Sequence, residues 1–344
     1  MVGLLLGVAL ALGLAAPTAP PAAPAQAAQA PVQVRLGIIS GASDAGFFIG
    51  MDQGYFAEQG LQLETTQFDS AARMVAPLGA GQLDAGGGAH SAGLFNAIAR
   101  GIPLKIVADK GSTPPGFGYQ AMLFRGDLVD SGRLRGPGDL RGMRVAVSAQ
   151  GTSAEVALGQ WLATAGLTLD DVDRVELGFP DHPTALGGGS VEASVTIEPF
   201  VTRILDQGTA RLYQRTDELT PGRAVAEVLY GGDFVREQPD VARRFMVAYL
   251  KAVRDYNDAF ARGDTAKRER VIDTLIHHTP VRDRALYDRM AMPGLDPNGR
   301  VDRPSISGDQ EFWLSRGTQH ERVNLDTVID YSFADAAVRA LGSY

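Results

Sequence analysis

The 344-residue chain contains no cysteine. That excludes disulfides, cysteine nucleophiles, thiolate-bound zinc and Fe–S clusters, and it excludes a lipid-modified amino terminus. No charged side chain occurs before Arg35. No basic run follows either, and the formal net charge is −8, so nucleic acid is excluded as an expected partner. Aromatic residues make up only 7% of the chain and tryptophan occurs twice. No His-Glu-x-x-His or other tight metal-ligand spacing is present. His277 and His278 are adjacent, so on a helix they should point in different directions and act as surface or partly buried residues, not ligands. No metal and no cofactor are expected.

What is present begins with "MVGLLLGVALALGLAA", followed by "PTAPPAAPAQAAQAP". The apolar run is short for a membrane span, which needs about 20 residues. It fits the hydrophobic region of a secretory leader, with small-residue cleavage positions such as Ala25-Gln26-Ala27. No Lys or Arg precedes it; an uncleaved anchor is the alternative. Residues 1–30 are read as leader, and the expected location is periplasmic or extracytoplasmic.

From Val32 the pattern alternates. "VQVRLGIIS" reads as a buried strand, and "GFFIGMDQGYFAEQGL" as a helix closing on Gly60. "LQLETTQF" is a strand, "SAARMVAPLGAGQ" a helix, "LDAGGG" a strand, "HSAGLFNAIARG" a helix and "PLKIVADKGS" a strand. The alternation predicts an α/β fold with mixed sheets flanked by helices. It restarts at "MRVAVSAQGTSAEVALGQWLATAGLTLDDV", and "PLGAGQLDAGGG" parallels "ALGGGSVEASVT", so two related lobes are expected. The expected division is 31–124 for the first part of lobe 1, 125–222 for lobe 2, and 223–344 for the return, the completion of lobe 1 and C-terminal helices. "YQAMLF" and "GRAVAEVLYGGDF" are read as two crossing strands. "QPDVARRFMVAYLKAVRDYNDAF" places Val241, Phe245, Tyr249, Ala252, Val253, Tyr256 and Phe260 on one helical face. "DTLIHHT", "RALYDRM", "GDQEFWLSRG" and "ADAAVRAL" are read as further helices.

The stretch "DAGGGAHSAG" (84–93) poses the functional question. Gly88 and Gly93 have P-loop spacing, but Leu94-Phe95 stands where Lys and Ser/Thr are needed to reach phosphates. Gly86, Gly88 and Ser91 fail the dinucleotide fingerprint at its third position. Ala89-His90-Ser91-Ala92-Gly93 is close to a hydrolase elbow, which leaves a serine esterase using Ser91 as one alternative. Too few strands precede it, however, and no oxyanion loop lies upstream. Elsewhere, strands run through small residues into helices at Ser40–Ser43, Gly86–Ser91 and Ser148–Ser153. Helix N-termini carry unpaired N–H groups and partial positive charge, so each can hold an anion or a carbonyl. Ordinary N-caps and turns are the plainer reading.

The order of "GFFIGMDQGYFAEQGLQLE", "GQLDAGGGAHSAGLFNAIARGIPLKIVADKGS", "LRGMRVAVSAQGTSAEVALGQWLATAGL", "IEPF" and "QPDVARRFMVAYLKAV" resembles the solute-binding proteins of ABC importers. Over residues 34–260 it is most similar to the nitrate/sulfonate/taurine and thiamine-precursor group, called NMT1/THI5-like. The resemblance implies a two-lobed type II periplasmic-binding-protein fold joined by two crossover strands. It implies a monomer closing over one small molecule and delivering it to a membrane permease and its ATPase. A pyrimidine-precursor synthase of the same fold is a further alternative; the leader speaks against it. The family's Pro-x-x-x-hydrophobic motif is here Ser43-Asp44-Ala45-Gly46-Phe47, a departure that bears on the ligand.

Carried over by position, the resemblance implies ligand contacts from Ser43, Asp44 and Phe47, from Gly88, His90 and Ser91, and from Ser112. In the second lobe it implies Gly151, Thr152, Ser153 and Glu198. Plainer readings stand beside these: Asp44 as a cap, Phe47 as core, Glu198 as the cap of a helix begun by Pro199. No arginine is among them. Asp44, Glu198 and His90 would suit N–H donors, and Phe47, Phe117 and Tyr119 would stack on a ring. The expected ligand is therefore an amine-bearing or heteroaromatic molecule, such as a pyrimidine precursor or taurine-like zwitterion, in preference to an inorganic anion.

Overall fold

The computed structural model describes residues 1–4 and 30–344; the leader reading falls almost wholly outside them. The body contains ten strands in two five-stranded sheets. These are β1 (Val32–Ile38), β2 (Leu61–Gln67), β3 (Ala85–Gly88), β4 (Lys105–Thr113), β5 (Gln120–Arg125), β6 (Arg144–Val147), β7 (Asp173–Glu176), β8 (Ala193–Ile197), β9 (Ala210–Arg215) and β10 (Arg223–Tyr230). The sheet orders are β2-β1-β3-β10-β4 and β7-β6-β8-β5-β9. Seven helices of eight residues or more flank them among the described residues. They are α1 (Ala45–Asp52), α2 (Ala92–Ala99), α3 (Ser153–Ala163), α4 (Pro239–Phe260), α5 (Thr265–His278), α6 (Arg303–Ser315) and α7 (Ser332–Leu341).

The two sheets have the same plan. In each, three parallel strands (β2-β1-β3 and β7-β6-β8) are followed by one antiparallel strand from the other part of the chain. β10 runs antiparallel to β3 and β4, and β5 antiparallel to β8 and β9. "YQAMLF" and "GRAVAEVLY", the two strands read as crossings, are β5 and β10, which the chain enters through the short links at 114–119 and 216–222.

Local chemistry explains the elements. In β1, Val34, Leu36 and Ile38 are buried and Gln33 and Arg35 exposed, a period-two pattern that ends at Gly37, where both faces are covered. α4 starts with Pro239 in its first turn and buries Val241, Phe245, Tyr249, Ala252, Val253 and Tyr256. That face packs on α1, α5 and α7 in the largest core cluster, where Phe260 is only partly buried. "SAARMVAPLGAGQ" is not one helix. Pro77 lacks the N–H that would bond the Arg73 carbonyl, so a 3₁₀ turn (Ala71–Met74) gives way to a short α turn (Val75–Gly79). "RALYDRM" likewise forms a 3₁₀ turn (Arg284–Asp288).

Candidate functional site

The C-terminal ends of the central strands of both sheets meet around a small cavity of about 30 Å³. The first lobe contributes Ile39, Ser43, Ala71, Gly88, Ala89, Val225 and Ala226. The second contributes Gln120, Ser148, Thr152, Ser153, Ala154, Phe179 and Ile197, and the link between lobes contributes Tyr119. No charged side chain among the described residues lines it.

Main-chain contacts clasp the lobes around this space. Ala92 N–H donates to the Gly151 carbonyl at 2.9 Å, and Ser91 and Thr152 form an antiparallel bridge. Ala42 N–H donates to the Glu198 carbonyl at 3.1 Å, and Phe179 N–H to the Asp69 carbonyl at 3.2 Å. Ser153 Oγ donates to the Val225 carbonyl at 3.3 Å. The glycine-rich turn of the first lobe thus faces "SAQGTS" of the second.

The two turns differ in what they leave free. Ser91 is the N-cap of α2, its Oγ accepting from Leu94 N–H at 3.1 Å, and the Ala92 N–H is spent on the clasp. At α3, the first intrahelical bond runs from Val156 N–H to the Thr152 carbonyl. The first turn of a helix leaves N–H groups without intrahelical partners, and Ser153 and Ala154 of that turn both line the cavity. Gly151 holds φ at +68°, a left-handed geometry that favours glycine. Its N–H donates to Glu155 Oε2 at 2.8 Å. Tyr119, also at the cavity, is 1% exposed, and its hydroxyl is unpaired among the described residues.

Of the residues singled out in the sequence, Ser43, Gly88, Thr152 and Ser153 line the cavity. Ser91 and Gly151 form the clasp beside it. Five lie elsewhere, each for a physical reason. Asp44 is fully buried, accepting from Ile39 N–H at 3.0 Å and from Lys110 Nζ at 2.7 Å. It ties the β1 turn to a buried lysine, whose Nζ also donates to Ser43 Oγ at 2.9 Å. Phe47 is core, its ring 5.0 Å from Tyr249 and 6.0 Å from Phe245. Ser112 donates to the Gly294 carbonyl and, with Phe117, lines a separate groove. Glu198 is buried against Thr202 (N–H 2.9 Å, Oγ1 3.0 Å) and Arg215 (3.3 Å). Burial raises its pKa above the usual carboxylate value, against the pull of Arg215 and Thr202.

His90 lies behind the cavity wall. Its Nδ1 is 2.8 Å from Glu227 Oε1, its Nε2 is 2.9 Å from Asp309 Oδ2, and its N–H donates to Glu227 Oε2 at 2.6 Å. Arg223 completes the cluster through Asp309. Burial opposes a charged ring, but the two carboxylates outweigh it and lift the imidazole to about 9. His90 is therefore an imidazolium holding β3, β10 and α6 together. The sequence reading did not assign Ile39, Ile197, Val225, Ala226 and Phe179 to the cavity. Their one sequence signal is a position at or near a strand end, beside a turn.

Comparison with known proteins agrees with this geometry. The profile of the NMT1-like family matches residues 27–271. A Brucella abortus (strain 2308) protein named "Putative binding protein BAB2_1146" is 26% identical over 270 residues, covering 78% of this chain and 77% of the relative. Among solved structures, the alkanesulfonate-binding protein SsuA from Xanthomonas axonopodis pv. citri bound to MOPS superposes with a TM-score of 0.71. It is 19% identical, covering 87% of this chain and 98% of that one. The periplasmic nitrate-binding protein NrtA from Synechocystis PCC 6803 gives 0.73 at 16% identity, covering 90% and 89%. The desulfurization enzyme DSZB gives 0.61 at 16% identity, covering 90% and 100%. At these identities the likeness establishes the periplasmic-binding-protein fold, two mixed sheets flanked by helices. With its profile matched across both sheets, the chain belongs to the NMT1-like family.

Proposed function

We propose that this chain is an exported solute receptor of an ABC importer, a monomer that closes over one small organic molecule and delivers it to a membrane permease. The observation that carries this reading is the small cavity between two lobes clasped by main-chain contacts, in a chain of this family. Nothing favours an esterase. Ser91 Oγ is spent as a helix cap, and both nitrogens of the neighbouring imidazole face carboxylates.

The lining narrows the ligand. Ile39, Ile197, Val225, Phe179 and the Tyr119 ring offer apolar and aromatic surface, and hydroxyls come from Ser43, Ser148, Thr152 and Ser153. The ligand that suits this lining is compact and ring-bearing, with one acceptor group directed at the start of α3 and at Tyr119. The amine-bearing option loses its support, because Asp44 and Glu198 are buried in pairs away from the cavity. A thermal-shift panel tests this. Pyrimidines and aromatic carboxylates or sulfonates should raise the Tm, since a ligand at a hundred times its Kd adds about 2.7 kcal/mol. Stabilisation by nitrate or by cationic amines alone would overturn it.

A further inference from the structure

We propose that Asp52, His277 and His278 form a surface site for a borderline-soft divalent cation, best matched by Zn²⁺. One donor atom from each residue lies within 4.8 Å of the others. Tetrahedral zinc with bonds of about 2.0–2.1 Å needs donors about 3.4 Å apart, so small side-chain rotations close the set. His278 Nε2 is already 2.8 Å from Asp52 Oδ1, and a cation there replaces the proton the two now share. The His278 ring is held by stacking on Phe48, with centroids 4.6 Å apart and planes 7° apart. The His277 ring also lies 4.6 Å from it. The two imidazoles thus converge, contrary to what their adjacency in sequence suggests.

The backbone adds to the case. α1 ends at Asp52 and α5 ends at His278, so two helix C-termini, each with partial negative charge, meet at the cluster. Arg282 already donates to the Ile276 and His277 carbonyls, which leaves the side chains to serve the metal. Two imidazoles and one carboxylate suit zinc, whereas Mg²⁺ and Ca²⁺ prefer oxygen sets. The bound ion cross-links α1 to α5 at the periphery of the first lobe, away from the cavity. In a chain without cysteine, it serves as the staple that a disulfide would otherwise provide.

Calorimetry of tag-free full-length protein with ZnCl₂ tests the site. One zinc should bind per chain, MgCl₂ should not compete, and zinc should raise the Tm. His277→Ala removes an exposed side chain and should weaken zinc at least about tenfold without unfolding the protein. Asp52→Asn, which keeps the shape and removes the charge, should do the same. Stoichiometry well below one, or an affinity unchanged in both variants, would mean an adventitious ion only and overturn the proposal.

Discussion

His90 in the first lobe and His182 in the second are both fully buried, yet their surroundings push their pKa values in opposite directions. His90 is lifted to about 9, the carboxylates of Glu227 and Asp309 outweighing its burial. His182 has only the Leu177 carbonyl on Nε2 at 3.0 Å, and burial drives it down to about 4. Both stand behind the cavity. His90 follows the lining residues Gly88 and Ala89, and His182 packs 5.6 Å from the Phe179 ring. The difference teaches that burial alone makes an imidazole neutral and that partners decide otherwise. It also shows that one cavity wall is fixed by paired charge and the other by packing.

The strongest way to break this contrast is to remove one carboxylate. Glu227→Ala leaves a buried cation with half its partners and should cost about 3–5 kcal/mol in denaturant unfolding. His182→Leu, which replaces a neutral buried ring with an apolar group, should cost less than about 1.5 kcal/mol. Comparable losses in the two variants would end the distinction.

The pH profile sharpens it. His90 has a folded pKa above the free value of 6.5. Its contribution is full below pH 6.5 and is lost as pH rises through about 9, on the order of 3 kcal/mol in all. His182 has a folded pKa below the free value. Its contribution is full above pH 6.5 and is lost as pH falls through about 4, by a similar amount. Unfolding curves across pH 4–10 should show His90→Gln flattening the alkaline arm and His182→Leu flattening the acid arm. An alkaline arm unchanged in His90→Gln would contradict the imidazolium.

A smaller effect separates wall from clasp. A Cβ on Gly151 would sit 2.8 Å from Ala92 Cβ and 3.2 Å from Thr318 Cγ2, across the lobe boundary, on a backbone with positive φ. Gly151→Ala should cost about 1 kcal/mol in unfolding but weaken solute binding about tenfold, because it wedges the closed form.

The fold was readable in the sequence because period and punctuation are local. The β1 alternation, the α4 face and the paired "LDAGGG" and "VEASVT" segments each lie within a few residues. The facing turns were readable for the same reason, and Ser43, Gly88, Thr152 and Ser153 do line the cavity. Asp44 and His90 pair with partners far along the chain, which a local reading does not place. Lys110 is 66 residues from Asp44, and Glu227 and Asp309 are 137 and 219 residues from His90. A lone acid or histidine beside a glycine turn reads as a ligand contact until such a partner is placed. Ile39, Ile197 and Val225 were missed for the opposite reason, since an apolar strand end facing a cavity has the same sequence as one facing a core.

Opening and closing of the lobes about the cavity is the central claim, and the absence of cysteine makes it directly measurable. Arg100→Cys with Ala163→Cys, both exposed and at the far ends of α2 and α3, would carry two spin labels and no others. Electron–electron resonance should show an interlobe distance that lengthens when Gly151→Ala is added and shortens with a solute that raises the Tm. One narrow distance, identical in all three samples, would contradict a closing receptor.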